Sequence, residues 1–228
     1  MVEQTSDDTP ACGTVLLLNG SSSSGKTTLS RALQQHIEHP LQHLALDQFR
    51  DGLPDRFRGL NSPPGTAGAR GLNVVPRAVG DELLTHIEFG EVGERVLRAM
   101  RRSVAALARE GIWVVVDDLL FQPGYLLDYV RVLVGVPTYL IGVRCPLPVV
   151  EARESERPGR FPGTAKSHYD SVHRAVFDLE VTYDVEVDTS VDTPDACARS
   201  VLQRLTAPPR ALGRLMERAV ATTASGPL

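Results

Sequence analysis

Residues 20–27 read Gly20-Ser21-Ser22-Ser23-Ser24-Gly25-Lys26-Thr27, which fits the spacing G-x-x-x-x-G-K-[ST]. That spacing suits a polyphosphate. Its glycines let the backbone curl until successive N–H groups converge on phosphate oxygens. A helix that starts at the lysine aims its positive dipole end at the same point. Lys26 then reaches the β- and γ-phosphates, and the Thr27 hydroxyl binds Mg²⁺. We expect ATP and Mg²⁺ as cofactors, held by Gly20, Ser21, Ser22, Ser23, Ser24, Gly25, Lys26, Thr27 and Thr28. The competing reading is a Ser/Gly linker. Against it stand the apolar run 14–18 before the loop and the helical pattern 26–37 after it, with Leu29 and Leu33 four apart.

Acids follow two other apolar runs. Ligands of open α/β sheets bind outside the carboxyl ends of the strands, so these positions matter. Val116 leads into Asp117 and Asp118, the form in which a carboxylate assists Mg²⁺. Side chains alternate along a strand, so one of the pair faces the metal. Asp117 is favoured, leaving Asp118 for substrate. The alternative is that one or both cap the next turn. Leu46 leads into Asp47. If its strand neighbours the first, Asp47 lies beside the γ-phosphate and can accept a proton from an attacking hydroxyl. Otherwise it serves as a helix N-cap.

The cations are informative because lysine is scarce: of 24 basic residues, Lys26 and Lys166 are the only lysines. Arg153, Arg157 and Arg160 form with Lys166 a four-cation stretch. Arginines folded over a moving phosphoryl group stabilise its charge, and closure excludes water. The alternative is a solvated face paired with Glu151, Glu154 and Glu156. The six histidines show no metal spacing and are assigned no chemistry.

These residues need a scaffold, and the sequence supplies short apolar strands alternating with helices. Strands are expected at 14–18, 41–46, 112–116, 138–143 and 184–187. Helices are expected at 26–37, 91–109, 125–133, 148–156, 166–177, 194–206 and 210–221. The pattern predicts an α/β fold of the P-loop NTPase type, a parallel sheet flanked by helices on both faces. We divide the chain into a polar, disordered tail (1–12), a kinase domain (13–208) and a C-terminal helix and tail (209–228). Within the domain, 157–166 is an arginine lid. Segment 50–80 has six glycines, four prolines and five arginines and little periodicity, so it reads as an irregular insert covering the substrate. Arg50 is a substrate candidate there, as is Lys166 in the lid. Net charge is −4, which gives no nucleic-acid or membrane surface. The first basic residue is Lys26, so no basic n-region of a signal peptide is present, and no apolar run would span a bilayer. Cys12, Cys145 and Cys197 form no disulfide framework, and a cytoplasmic location is expected.

The chain resembles the chloramphenicol 3-O-phosphotransferases, small P-loop kinases that inactivate an antibiotic by phosphorylating a primary hydroxyl. The resemblance spans 15–189. It rests on the loop from Leu18 to Lys26, on Val116-Asp117-Asp118-Leu119, on Val143-Arg144-Cys145, on the lid 157–166, and on Tyr183-Asp184-Val185-Glu186-Val187-Asp188-Thr189. It implies Asp47 as catalytic base and Arg157 and Arg160 as lid arginines acting with Lys26. It also implies a nucleotide-base pocket near Arg153, Asp188 and Thr189. The partner it implies is a small hydroxyl-bearing molecule, an antibiotic; whether the chain forms a homo-oligomer stays open. Segment 50–80 departs from the family in length and composition, which admits a larger, anionic or nucleoside-type acceptor beside chloramphenicol. A metabolic sugar or nucleoside kinase would use the same machinery. A regulatory NTPase is disfavoured, because no Asn-Lys-x-Asp motif occurs and Asp117 opens no Asp-x-x-Gly switch.

Overall fold

The computed structural model describes residues 12–157 and 161–224. Except for Cys12, the expected tail lies outside them, as does Arg160. The strands are β1 (Val15–Asn19), β2 (Leu41–Ala45), β3 (Arg58–Leu60), β4 (Leu72–Val79), β5 (Glu82–Phe89), β6 (Trp113–Asp118), β7 (Thr138–Arg144) and β8 (Val185–Asp188). The helices are α1 (Lys26–His36), α2 (Leu46–Asp51), α3 (Ala67–Arg70), α4 (Glu91–Arg109), α5 (Pro123–Val132), α6 (Leu147–Ser155), α7 (Thr164–His168), α8 (Ser171–Phe177), α9 (Pro194–Arg204) and α10 (Gly213–Ala224).

Five strands make one parallel sheet of order β2-β6-β1-β7-β8. β1 is central and wholly buried, which is why its sequence is a continuous apolar run rather than an alternating one. Leu16 and Leu18 point to one face, with Leu29 and Leu33 of α1 and Val201 of α9. Val15 and Leu17 point to the other, with Met100 and Val104 of α4 and Leu126 and Tyr129 of α5. Each such aliphatic side chain contributes roughly 1.5–3 kcal/mol by burial. Both faces of the sheet are thus covered, as the alternating pattern predicts.

Three expectations need correction. β2 pairs with β6 and not with β1, so the strand that leads to Asp47 does not neighbour the strand that leads to the phosphate loop. Segment 50–80 is also not irregular. It carries the end of α2, a 3₁₀ turn at Asp55–Phe57, β3, α3 and β4, and β4 forms an antiparallel hairpin with β5. Pro76 hides this strand from a sequence reading. It is tolerated because β3 pairs with β4 only as far as Val74, leaving Pro76 on an open edge. Gly80, at φ +61, makes the turn. The hairpin packs Leu72, Val74 and Ile87 against Leu46, Leu97, Leu119 and Val172, which seats it over the carboxyl ends of β2 and β6. Finally, the expected helix 166–177 is two helices, α7 and α8.

Candidate active site

The phosphate loop leaves β1 at Gly20, where no larger residue fits: a Cβ there would lie 2.4 Å from the Val143 carbonyl oxygen of β7. Ser23 (φ 60) and Gly25 (φ 94) take left-handed conformations. They turn the chain back on itself before α1 begins at Lys26. Lys26 is buried, and its Nζ donates to the carbonyls of Gly20 and Ser21, each at 2.9 Å. Nζ is also 3.6 Å from Asp117 Oδ1. The Thr27 hydroxyl donates to Asp117 Oδ2 at 2.5 Å. Register explains that meeting, since Leu18 and Asp117 are partners on adjacent strands.

The loop fits the group it is expected to hold. Ser23, which lines the groove over the loop, has its Oγ buried with no hydrogen-bond partner among the described residues, and a phosphate oxygen would accept from it. Among the described residues, no cluster of three or more His, Cys, Asp or Glu could hold a metal. Mg²⁺ takes one or two protein oxygens and completes its shell with water and substrate phosphates. Thr27 and Asp117 are the protein oxygens at hand.

A groove of about 830 Å³ opens over the loop, a size typical of small-molecule sites. Its floor includes Lys26, Thr27 and Asp117; Arg153 and Thr189 border it on one side, and Ala45, Leu46, Asp47 and Leu119 on another. Arg157 also lines it. Asp47 therefore shares a cavity with the phosphate loop although its strand is one removed. β6 lies between them, and Asp117 is the partner of Ala45. Asp47 sits in the first turn of α2, whose N-cap is Ala45. It is not the cap, and its carboxylate is held by Arg50 at 3.0 Å.

Other candidates are redistributed. Asp118 is buried away from the groove. Its carboxylate accepts the Tyr129 phenol at 2.9 Å and the Leu119 N–H at 2.7 Å, and lies 3.9 Å from Arg101 Nε. This takes it out of the substrate set. Arg50 does not line the groove; it pairs with Asp47 and Asp51. Lys166 pairs with Glu82 of β5 at 2.6 Å, and that contact raises its pKa. Arg153 donates to Thr189 Oγ1 at 3.0 Å and to the Thr189 carbonyl at 2.7 Å, while Thr189 donates to the Ser24 carbonyl at 2.7 Å. Arg153 and Thr189 thus brace the loop at Ser24. Asp188 is absent from the groove, its carboxylate taken by the N–H and hydroxyl of Ser190, which lower its pKa. Nor does Glu154 belong to a charged surface face. It is buried and accepts the N–H groups of Gly163 and Ala165 at 3.0 and 2.8 Å.

A family model for chloramphenicol phosphotransferase-like proteins matches residues 13–206. The chain belongs to the chloramphenicol phosphotransferase-like family. It is a phosphotransferase with a P-loop kinase fold. Two Mycobacterium tuberculosis proteins, from strains CDC 1551 and H37Rv and provisionally named O-phosphotransferases, are each 28% identical to it over 212 residues, covering 90% of this chain and 89% of theirs. Among solved structures, the M. tuberculosis APS kinase in complex with AMPPNP and APS aligns with a TM-score of 0.56 at 15% identity, over 87% of this chain and 100% of that one. The Deinococcus radiodurans tunicamycin resistance protein gives 0.54 at 15% identity, over 87% and 99%. A Sinorhizobium meliloti gluconokinase gives 0.53 at 17%, over 93% and 98%. These likenesses establish the fold alone.

Two histidines matter more than their sequence positions suggest. His43 of β2 lines the groove, and its Nε2 is buried without a partner among the described residues. His168 of α7 accepts the N–H of Ser22, inside the phosphate loop, at 3.3 Å. Neither has a spacing signal, because each is brought to the loop by an element distant in the chain.

Proposed function

We propose that the protein transfers the γ-phosphoryl group of ATP to a hydroxyl of a neutral, largely apolar small molecule, an antibiotic alcohol in the first instance. The observation that carries this reading is that Asp47 shares one groove with Lys26, Thr27 and Asp117. When bound, ATP supplies the phosphoryl group and Mg²⁺ offsets its charge. Lys26 holds the phosphates, and Thr27 with Asp117 would hold the metal. Asp47 orients the acceptor hydroxyl and accepts its proton as the new P–O bond forms and the bond to ADP breaks. Arg50 keeps that carboxylate in place, and Arg157 meets charge on the moving group.

The acceptor's class follows from two features. Four of the five arginines of the insert pair with acids: Arg50 with Asp47 and Asp51, Arg58 with Asp55, Arg70 with Glu91, and Arg77 with Glu88, while Arg56 lies over the Phe57 ring. They do not form a receptor for an anionic acceptor, contrary to what composition suggests. Beside Asp47, the groove is walled by Leu46 and Leu119, and the apolar hairpin face packs behind them. An ADP-release assay across chloramphenicol, a nucleoside antibiotic, gluconate and free nucleosides tests this. Turnover with an antibiotic alcohol is expected. Efficient turnover of gluconate alone would replace the antibiotic reading with that of a metabolic kinase.

A further inference from the structure

α7 touches two distant parts of the protein. At its start, Gly163 takes φ +77, and a Cβ there would lie 2.6 Å from the Leu83 carbonyl oxygen, so only glycine lets β5 approach. Thr85 of β5, 1% exposed, donates its hydroxyl to the Pro162 carbonyl at 2.7 Å and its N–H to the Gly163 carbonyl at 3.3 Å. Lys166 pairs with Glu82 of the same strand, and Glu154 holds the N–H groups of Gly163 and Ala165. α7 is therefore fixed to the acceptor-side hairpin along one flank and anchored to α6 at its first turn.

Its far end carries His168, 6% exposed, whose Nε2 accepts the Ser22 N–H at 3.3 Å. A backbone N–H can only donate, so Nε2 is unprotonated. In the neutral ring Nδ1 then carries the hydrogen and points to Ser167 Oγ at 3.3 Å, while that hydroxyl donates to the Thr164 carbonyl at 2.8 Å. The imidazole is thus locked to its own helix on one side and to the phosphate loop on the other. Neither Thr85 nor His168 lines the nucleotide groove.

We propose that α7 is a strut between the acceptor hairpin and the phosphate loop, and that Thr85 and His168 are positioning residues at its two ends. His168 sets the path of the loop at Ser22, and Thr85 sets where α7 can stand. The inference rests on the reading that this loop takes the phosphates of ATP. It makes a demand that reading does not: a hydroxyl on the acceptor hairpin must affect how tightly the β- and γ-phosphates bind.

Calorimetric titration of the full chain with ATP, ADP and AMP, in the presence of Mg²⁺, tests this. His168→Ala and Thr85→Val should each weaken ATP by about tenfold, as the loss of one well-placed hydrogen bond would, and AMP by less than about twofold. The double variant should stay near the single ones and not fall a hundredfold, because both act through the same helix. His168→Gln offers a carboxamide oxygen to Ser22, and Thr85→Ser keeps the hydroxyl. Both should return to within about twofold of wild type, and they preserve the readout if an alanine or valine variant folds poorly. Wild-type ATP affinity in Thr85→Val, equal weakening of ATP and AMP, or multiplicative losses in the double variant would each overturn the strut. Failure of the wild-type chain to bind ATP would overturn the reading of the loop as well, and is recognised because Lys26→Ala would then change nothing.

Discussion

Asp117 and Asp118 are consecutive, yet their carboxylates serve opposite sides of β6. Asp117 takes the Thr27 hydroxyl at 2.5 Å at the floor of the groove, and Asp118 takes the Tyr129 phenol at 2.9 Å in the core. Strand alternation forces the split. It separates a chemical role from a structural one. Asp118 stands beside Arg101, which is 1% exposed and lies 4.5 Å over the Tyr125 ring. Asp118→Ala should cost about 1–3 kcal/mol of stability, because it leaves the buried Tyr129 hydroxyl without its acceptor, while Arg101 keeps Asp128 at 3.1 Å. Asp117→Asn keeps an acceptor for the Thr27 hydroxyl, so its loss of stability should be the smaller although buried Lys26 loses a carboxylate 3.6 Å away, and transfer should fall by at least about 10²-fold. Urea unfolding and steady-state kinetics on both variants check this; a reversal of the two phenotypes would refute the assignment.

Lys26→Ala should abolish transfer, since the loop's cation is lost. Lys26→Arg should fail too. A compact ammonium donates to the Gly20 and Ser21 carbonyls within a tight loop, and a planar guanidinium cannot take its place. Full activity in the arginine variant would show the loop has been misread.

Asp47→Asn keeps the shape and removes the proton acceptor. kcat should fall by roughly 10²–10⁴-fold with ATP affinity little changed. The low end is expected if the proton leaves late in a loose transition state, where the carboxylate mainly orients the hydroxyl. Near-normal kcat would remove Asp47 from the chemistry and leave it as an anchor for Arg50.

Arg157 lines the groove, and the charge it meets grows as the phosphoryl group moves. Arg157→Ala should lower kcat more than it weakens ATP binding. A variant that loses only ATP affinity would place Arg157 in ground-state binding instead.

His173 gives a pH signature. Its pKa is lowered to about 4 from 6.5, first by burial and then by Arg144 and Lys26. Between these values the unfolded chain holds a proton that the folded chain does not. Its contribution to stability is therefore fully present above about pH 6.5 and is lost as pH falls toward 4. Urea midpoints taken across this window should rise with pH, and His173→Gln should flatten the rise. An unchanged slope in that variant would assign the effect to other groups.

Much of the protein is legible in its sequence because the determining signals are local. Residues 20–27 specify a phosphate loop through glycine conformations and one lysine. The apolar run of β1 declares a strand buried on both faces, and the helical spacing from Glu91 to Arg109 declares α4 at both ends. Tertiary structure decided what depends on strand order and on pairing across sequence. Only the order β2-β6-β1 places Asp47 across Asp117 from the loop. Pro76 concealed the hairpin, whose strands hold together through register that no short window encodes. Four of the insert's five arginines looked like a receptor until their acids were seen beside them. His168 carried no motif, and its meeting with Ser22 spans 146 residues of chain. Spacing can announce a residue that acts where its own segment folds; a residue whose role depends on a distant partner is revealed only when packing brings the two together.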